Sequence, residues 1–165
     1  MTEKKFTYIL VSVAVAAILF VILLNIPWGG ERAKLAKEFE LEKNHILVTI
    51  SFDDVIKKIN GAEEFQLFVG TTDDKVFVHN ANELAKEHGV EKIYYLNYRL
   101  LNEEQVDTLK ANSSSYIKFP SMLFFEVYDE EFSSALYISG IKDINDFDGN
   151  IRDLLSQYFI DCYGE

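Results

Sequence analysis

FQLFVG at residues 65–70, TTDDK at 71–75, VFVHNANELAKEHG at 76–89 and IYYL at 93–96 decide the fold class. The first run is apolar and aromatic and predicts a strand. The polar run that follows is a loop. Val76, Phe77, Ala81, Leu84 and Ala85 then recur at helical spacing and predict the inner face of a helix ending near His88, with Gly89 closing it. IYYL predicts the next strand. A strand, a helix and a strand in this order require parallel pairing through a right-handed crossover.

The pattern extends in both directions. ILVTI at 46–50 predicts a strand, and Ser51 offers a helix N-cap with Asp54 three residues on. Phe52, Val55, Ile56 and Ile59 follow at helical spacing, and Gly61 stops the run. Asn102 and Gln105 bracket another helix start, with Val106 and Leu109 facing inward. MLFFEVY at 122–128, a turn at 129–131 and a return strand at 133–139 predict an antiparallel hairpin. A last helix over about 145–159 carries Phe147, Ile151, Leu154, Leu155 and Tyr158 on one stripe. The order β-α-β-α-β-α-β-β-α predicts an α/β domain, a central mixed sheet with helices on both faces, over residues 45–165.

Ahead of the domain, residues 6–30 hold no charged side chain. Their apolar heart, 6–24, is long enough as a helix to cross roughly 30 Å of hydrocarbon. Lys4 and Lys5 precede the run, as they also would in a cleaved signal peptide, but the A-x-A pattern at 14–16 lies inside it. Tyr8 and Trp28 mark the two ends, where amphipathic rings prefer headgroups. The expectation is a tail at 1–5, a single transmembrane signal-anchor helix at 6–28 and a juxtamembrane helix or stalk at 29–44. The short basic tail places the N-terminus in the cytoplasm and the domain outside the cell membrane. Arg32, Lys34 and Lys37 on the other flank pull the opposite way.

Without Glu3, Lys4 and Lys5 the chain carries 14 basic and 26 acidic residues, a net charge of −12. Such a surface repels phosphate backbones, so no nucleic-acid partner is expected. It suits solubility, or attraction to a basic partner. Cys162 is the single cysteine, which excludes an internal disulfide and any cysteine-rich metal site.

Two landmarks carry a family likeness. One is FQLFVG at 65–70 running into a loop and then a helix. The other is Phe119-Pro120-Ser121 running into MLFF at 122–125. In this order they resemble the thioredoxin-like superfamily, nearest to the membrane-anchored bacterial proteins described as bacteriocin transport accessory proteins, over roughly residues 46–159. The resemblance implies a thioredoxin-like fold and a cis peptide bond before Pro120. It also implies a groove in which Phe119, opposite the Asp73-Asp74 loop, pairs by its backbone with an extended client peptide. Family members carry Cys-x-x-Cys at the start of the helix after the first landmark, where the helix end stabilises a thiolate. Those places fall near Asp74 and Phe77 here, so thiol–disulfide exchange by this chain alone is excluded by composition.

Asp73 and Asp74 at a helix start suit capping and the helix dipole. They are also the residues an acid–base or metal-dependent enzyme would use, with His79 the nearest imidazole; its simpler role is to pair with Glu83 one turn on. His45 and His88 read as structural, and the serines at 113–115 lack a base. The expected function is that of a redox-inactive, non-catalytic accessory module that binds a protein or peptide at the cell envelope, with peptide export as its setting. Its binding residues are Thr72, Asp73, Asp74, Lys75, Val76, Phe119 and Pro120, with no cofactor, metal or small-molecule substrate. A structural subunit of an envelope complex, an immunity-type protein and a carboxylate-dependent enzyme are the alternatives.

Overall fold

The computed structural model describes residues 30–128, 131–139 and 150–164. The predicted tail at 1–5, the anchor at 6–28, most of the hairpin turn and the start of the last helix with Phe147 lie outside the described residues. Among the described residues no helix is long and apolar enough to cross a membrane.

The elements are α1 (Gly30–Glu38), β1 (Leu47–Thr49), α2 (Phe52–Asn60), β2 (Phe65–Gly70), α3 (Lys75–Glu87), β3 (Ile93–Asn97), a 3-10 turn (Tyr98–Leu100), α4 (Glu103–Ala111), β4 (Ser121–Tyr128), β5 (Glu131–Ser139) and α5 (Ile151–Tyr163). The sheet runs β1-β3-β2-β4-β5. β1, β3 and β2 are parallel, with Leu47 opposite Ile93 and Gln66 opposite Ile93. β4 runs antiparallel to β2, with Val69 opposite Ser121, and β5 antiparallel to β4 with an irregularity between Phe124 and Phe125. The domain is thus a mixed α/β body.

Alternating side chains of each strand feed two cores. One holds Phe68, Tyr95, Met122 and Phe124 under α1, α3 and α5. The other holds Leu67, Val69, Leu96, Leu123 and Phe125 under α2 and α4. All six residues of β2 are buried, which explains its nearly unbroken apolar run. Its one polar side chain, Gln66, accepts a hydrogen bond from the Tyr158 hydroxyl at 2.6 Å and donates to the Tyr163 hydroxyl at 3.0 Å, tying the middle strand to α5.

The helix ends follow their local signals. Ser51 Oγ accepts the Asp54 N–H at 3.2 Å and donates to the Asp54 carboxylate, so the hydroxyl, not a backbone amide, completes that exchange. Asn102 and Gln105 form a full capping box. Gly89, at φ +73°, closes α3, and Val90 N–H reaches back to the Ala85 carbonyl at 2.8 Å.

Three expectations shift. The helix expected within 29–44 spans Gly30–Glu38, and Leu35 and Phe39 lie in the first core, so α1 is docked on the body. Arg32 and His45 fasten it: the Arg32 guanidinium donates to the His45 carbonyl, and the His45 ring bonds the Arg32 carbonyl at 2.8 Å. Val76 is half exposed, because α3 begins at Lys75 and its inward phase falls on Phe77, Val78, Ala81, Leu84 and Ala85. His79 bonds the Phe39 carbonyl at 2.9 Å, and Glu83 pairs instead with Arg152.

Candidate functional site

The chain leaves β2 toward the face that carries α1, α3 and α5, and leaves β3 toward the face that carries α2 and α4. Adjacent strands whose exits diverge open a crevice at their carboxyl ends, where α/β sheets commonly take ligands. Three segments meet there. Gly70 pairs with Asn97, which places the 71–74 loop beside the Tyr98–Leu100 turn. Val69 pairs with Ser121, so Phe119 and Pro120 enter the sheet at the end where Gly70 and Thr71 leave it. The Phe119–Pro120 peptide bond is cis.

Thr71 organises the loop. It is buried, and its N–H and hydroxyl donate to the Asp74 carboxylate at 2.7 and 3.1 Å. Its oxygen accepts the Asp73 N–H at 3.2 Å. Asp74 is the N-cap residue of α3, yet its side chain makes no cap hydrogen bond to the helix. This corrects the capping expected of it: the buried Thr71 is the nearer donor pair and takes the carboxylate first. Asp73 points the other way and pairs with Arg99 Nη2 at 2.7 Å, which raises the guanidinium pKa. The two carboxylates therefore serve different partners. Among the described residues no group of three or more His, Cys, Asp or Glu could hold a metal.

Lys75 pairs with Glu40, whose pKa that contact lowers. Thr72 and Val76 contribute partly open and open surface. Phe119 is half-buried, with its ring stacked on Tyr98 at 5.5 Å. Its backbone groups make no hydrogen bond among the described residues. Tyr98 and Arg99 thus join the two predicted halves of the site, one by ring stacking and the other by charge. Sequence reading missed both residues. They follow a strand without a motif, and their partners lie 21 and 26 positions away in the chain, respectively after and before them.

Leu100, 81 % exposed, stands between two clefts. One, of about 320 Å³, is lined by Ile50, Ser51, Phe52, Leu96 and Leu101. The other, of about 350 Å³, lies against α1 and is lined by Leu35, Glu38, Thr72, Tyr95 and Asn97. Cys162 lies away from this end, near Gln66 and Tyr158, and burial pushes its thiol up to about 11. At neutral pH it is held as the unreactive thiol.

No protein-family model, characterised protein or solved structure matches the chain.

Proposed function

We propose that the chain is a membrane-anchored, redox-inactive relative of the thioredoxin-like superfamily. It acts outside the cell membrane as a non-catalytic binding module for a protein or extended peptide. The anchor is the apolar run at 6–28, with the N-terminus in the cytoplasm. The accessory role is the one that the resemblance to bacteriocin transport accessory proteins implies.

The observation that carries this is the convergence of the 71–74 loop, the Tyr98–Leu100 turn and Phe119–Pro120 at one end of the sheet, in a chain with one cysteine. The cis bond before Pro120 and the hairpin β4–β5 behind it are features that the resemblance implies. Large apolar side chains stand open around that end: Val76 at 50 % and Leu100 at 81 % exposure. Exposed apolar side chains rimmed by polar residues suit a protein contact. The backbone groups of Phe119, unpaired among the described residues, suit strand addition, which needs main-chain donors and acceptors more than side-chain chemistry.

The test is photo-crosslinking in membranes from cells making the full chain, with the photoreactive residue at Val76, at Leu100 or, as a control, at Lys57, more than a turn along α2 and outside the lining of both clefts. A discrete adduct is expected from the first two positions and not from the third, and Phe119→Asp should abolish it at unchanged protein level. Equal adducts from all three positions, or adducts indifferent to Phe119→Asp, would remove this end of the sheet as the binding surface.

A further inference from the structure

We propose that the cleft between α1 and the ends of β1 and β3 receives a lysine or arginine side chain of the bound partner; this rests on the docking function proposed above and names the chemistry of its second contact.

Tyr95 supplies the first reason. Its ring is held edge-on by Phe39 at 5.0 Å and stacked on Phe68 at 5.8 Å, and the residue is 4 % exposed. The ring cannot swing its hydroxyl out to water. Tyr95 is part of the cleft wall, and among the described residues its buried hydroxyl has no hydrogen-bond partner. A buried polar group without a partner is a standing cost to a fold, and native proteins keep such groups where something else completes them.

Charge selects what completes it. The groups acting on the hydroxyl are Glu38, Asp74 and Asp73, against Arg99. Asp74 is occupied by Thr71 and Asp73 by Arg99. Among the described residues Glu38 is engaged by Lys34, at 3.8 Å in a largely solvated pair; Lys34 lines the same cleft, and Glu31 adds a second carboxylate at the rim. An incoming ammonium or guanidinium donates to the Tyr95 oxygen and to Glu38 together. An anion would meet two carboxylates. Leu35 and Leu100 flank the path and suit the aliphatic stem of a long basic side chain. A volume of about 350 Å³ is at the small end for ligand pockets and fits one side chain better than a nucleotide. The acidic excess of the chain favours a basic partner in the approach as well.

The experiment uses the full chain in phosphatidylcholine nanodiscs, with tyrosine labelled by carbon-13 at the hydroxyl-bearing ring carbon. The signal missing in Tyr95→Phe identifies Tyr95. N-acetyl-arginine amide and N-acetyl-lysine amide should move that signal saturably. The isosteric norleucine amide and the glutamate amide should not. By calorimetry, Tyr95→Phe and Glu38→Gln should each weaken the arginine probe about tenfold, as expected for a hydrogen bond to a charged group. A Tyr95 signal that stays put, or that norleucine amide moves equally, would overturn the proposal and assign the hydroxyl to a bound water only. Crosslinking from Val76 and Leu100 reads the docking surface separately. Adducts with a silent Tyr95 would overturn the cleft and keep the docking function; a responsive Tyr95 without adducts would do the reverse.

Discussion

Gly70 is where a single methyl group should cost the most at this site. It closes β2, and its backbone is not in the left-handed region, so alanine is allowed there conformationally. The obstacle is space. A Cβ added to Gly70 would sit 2.1 Å from Cζ of Phe68, and 2.7 and 2.8 Å from its Cε1 and Cε2. Ordinary carbon–carbon contact is about 3.5–4.0 Å, so the ring must retreat by roughly 1.5 Å. It has nowhere to go. Phe68 is 1 % exposed, stacked on Phe77 at 5.3 Å and on Tyr95 at 5.8 Å, with Phe39 edge-on at 6.5 Å. Forcing such a core costs about 1–3 kcal/mol, and the stiffer unfolded chain returns about 0.4–1 kcal/mol, leaving Gly70→Ala destabilising by about 1–1.5 kcal/mol. Urea unfolding of the full chain in detergent micelles, followed by far-ultraviolet circular dichroism, measures it. A double-mutant cycle sharpens the test. Phe68→Leu alone leaves a gap beside Phe39, but in the Gly70→Ala background the shorter side chain relieves the clash, so the two costs should couple by about 1 kcal/mol or more. Unchanged stability of Gly70→Ala, or strict additivity with Phe68→Leu, would refute the packing account of this glycine.

Two tyrosine-to-phenylalanine changes should differ in sign. Tyr95→Phe removes an unpartnered hydroxyl and should leave stability equal or raise it by up to about 1 kcal/mol, whereas Tyr158→Phe strands the Gln66 carbonyl oxygen and should cost about 1–3 kcal/mol. Burial pushes the Tyr95 hydroxyl up to about 12 from 10.0, so the folded state keeps a proton that the unfolded state loses; stability should fall as pH rises from about 10 toward 12, less steeply in Tyr95→Phe. Cys162, raised to about 11 by burial, should react with iodoacetamide at pH 7.5 roughly two orders of magnitude more slowly in the native chain than in urea, and an equal rate would contradict its burial. Asn102→Ala removes one side of the capping box on α4 and should cost about 1 kcal/mol in the same urea assay.

The strands and helices were legible because their signals are local. FQLFVG declares a strand buried on both faces, and Gln105 three residues after Asn102 declares a helix start. Boundaries moved where a terminus was decided elsewhere. ILVTI is regular strand over Leu47–Thr49, and the Ile46 carbonyl and Ile50 N–H still bond Ile93 and Tyr95 of β3, while the Ile46 N–H turns to the Asn82 side chain across the fold. Val76 was misplaced by one helix phase, set by where α3 begins. The loop at 71–74 could be located by its place after β2, but its wiring could not. Thr71 taking Asp74, Arg99 taking Asp73 and Tyr98 stacking on Phe119 are tertiary choices that no local spacing encodes. The unpartnered Tyr95 hydroxyl is less legible still, because IYYL reads as sheet packing whichever tyrosine turns inward.

The proposed anchor and the proposed cleft constrain one another through the chain. Glu31 and Leu35, on the wall of the cleft, lie three and seven residues beyond Trp28, the last large apolar side chain of the run at 6–28. At no more than about 3.6 Å per residue, Glu31 is within about 11 Å of Trp28 along the backbone. A bilayer holding that run therefore holds the cleft at its surface. Charge is divided to match. α1 carries Arg32, Lys34 and Lys37 against Glu31 and Glu38, while the rest of the domain holds the acidic excess. With the proposed anchor in a bilayer, the basic helix would face anionic headgroups at little cost, and the acidic body would be repelled into the aqueous phase. Phe119 and the cleft share the end of the sheet formed by the exits of β2 and β3, so a chain paired along Phe119 that continues past Leu100 would bring its basic side chain down toward the membrane. A partner emerging from the bilayer would meet that geometry directly. Lengthening the segment between Trp28 and Glu31 with a flexible insert of ten residues or so should therefore weaken crosslinking of a membrane-borne partner while leaving the arginine probe's affinity for the cleft unchanged.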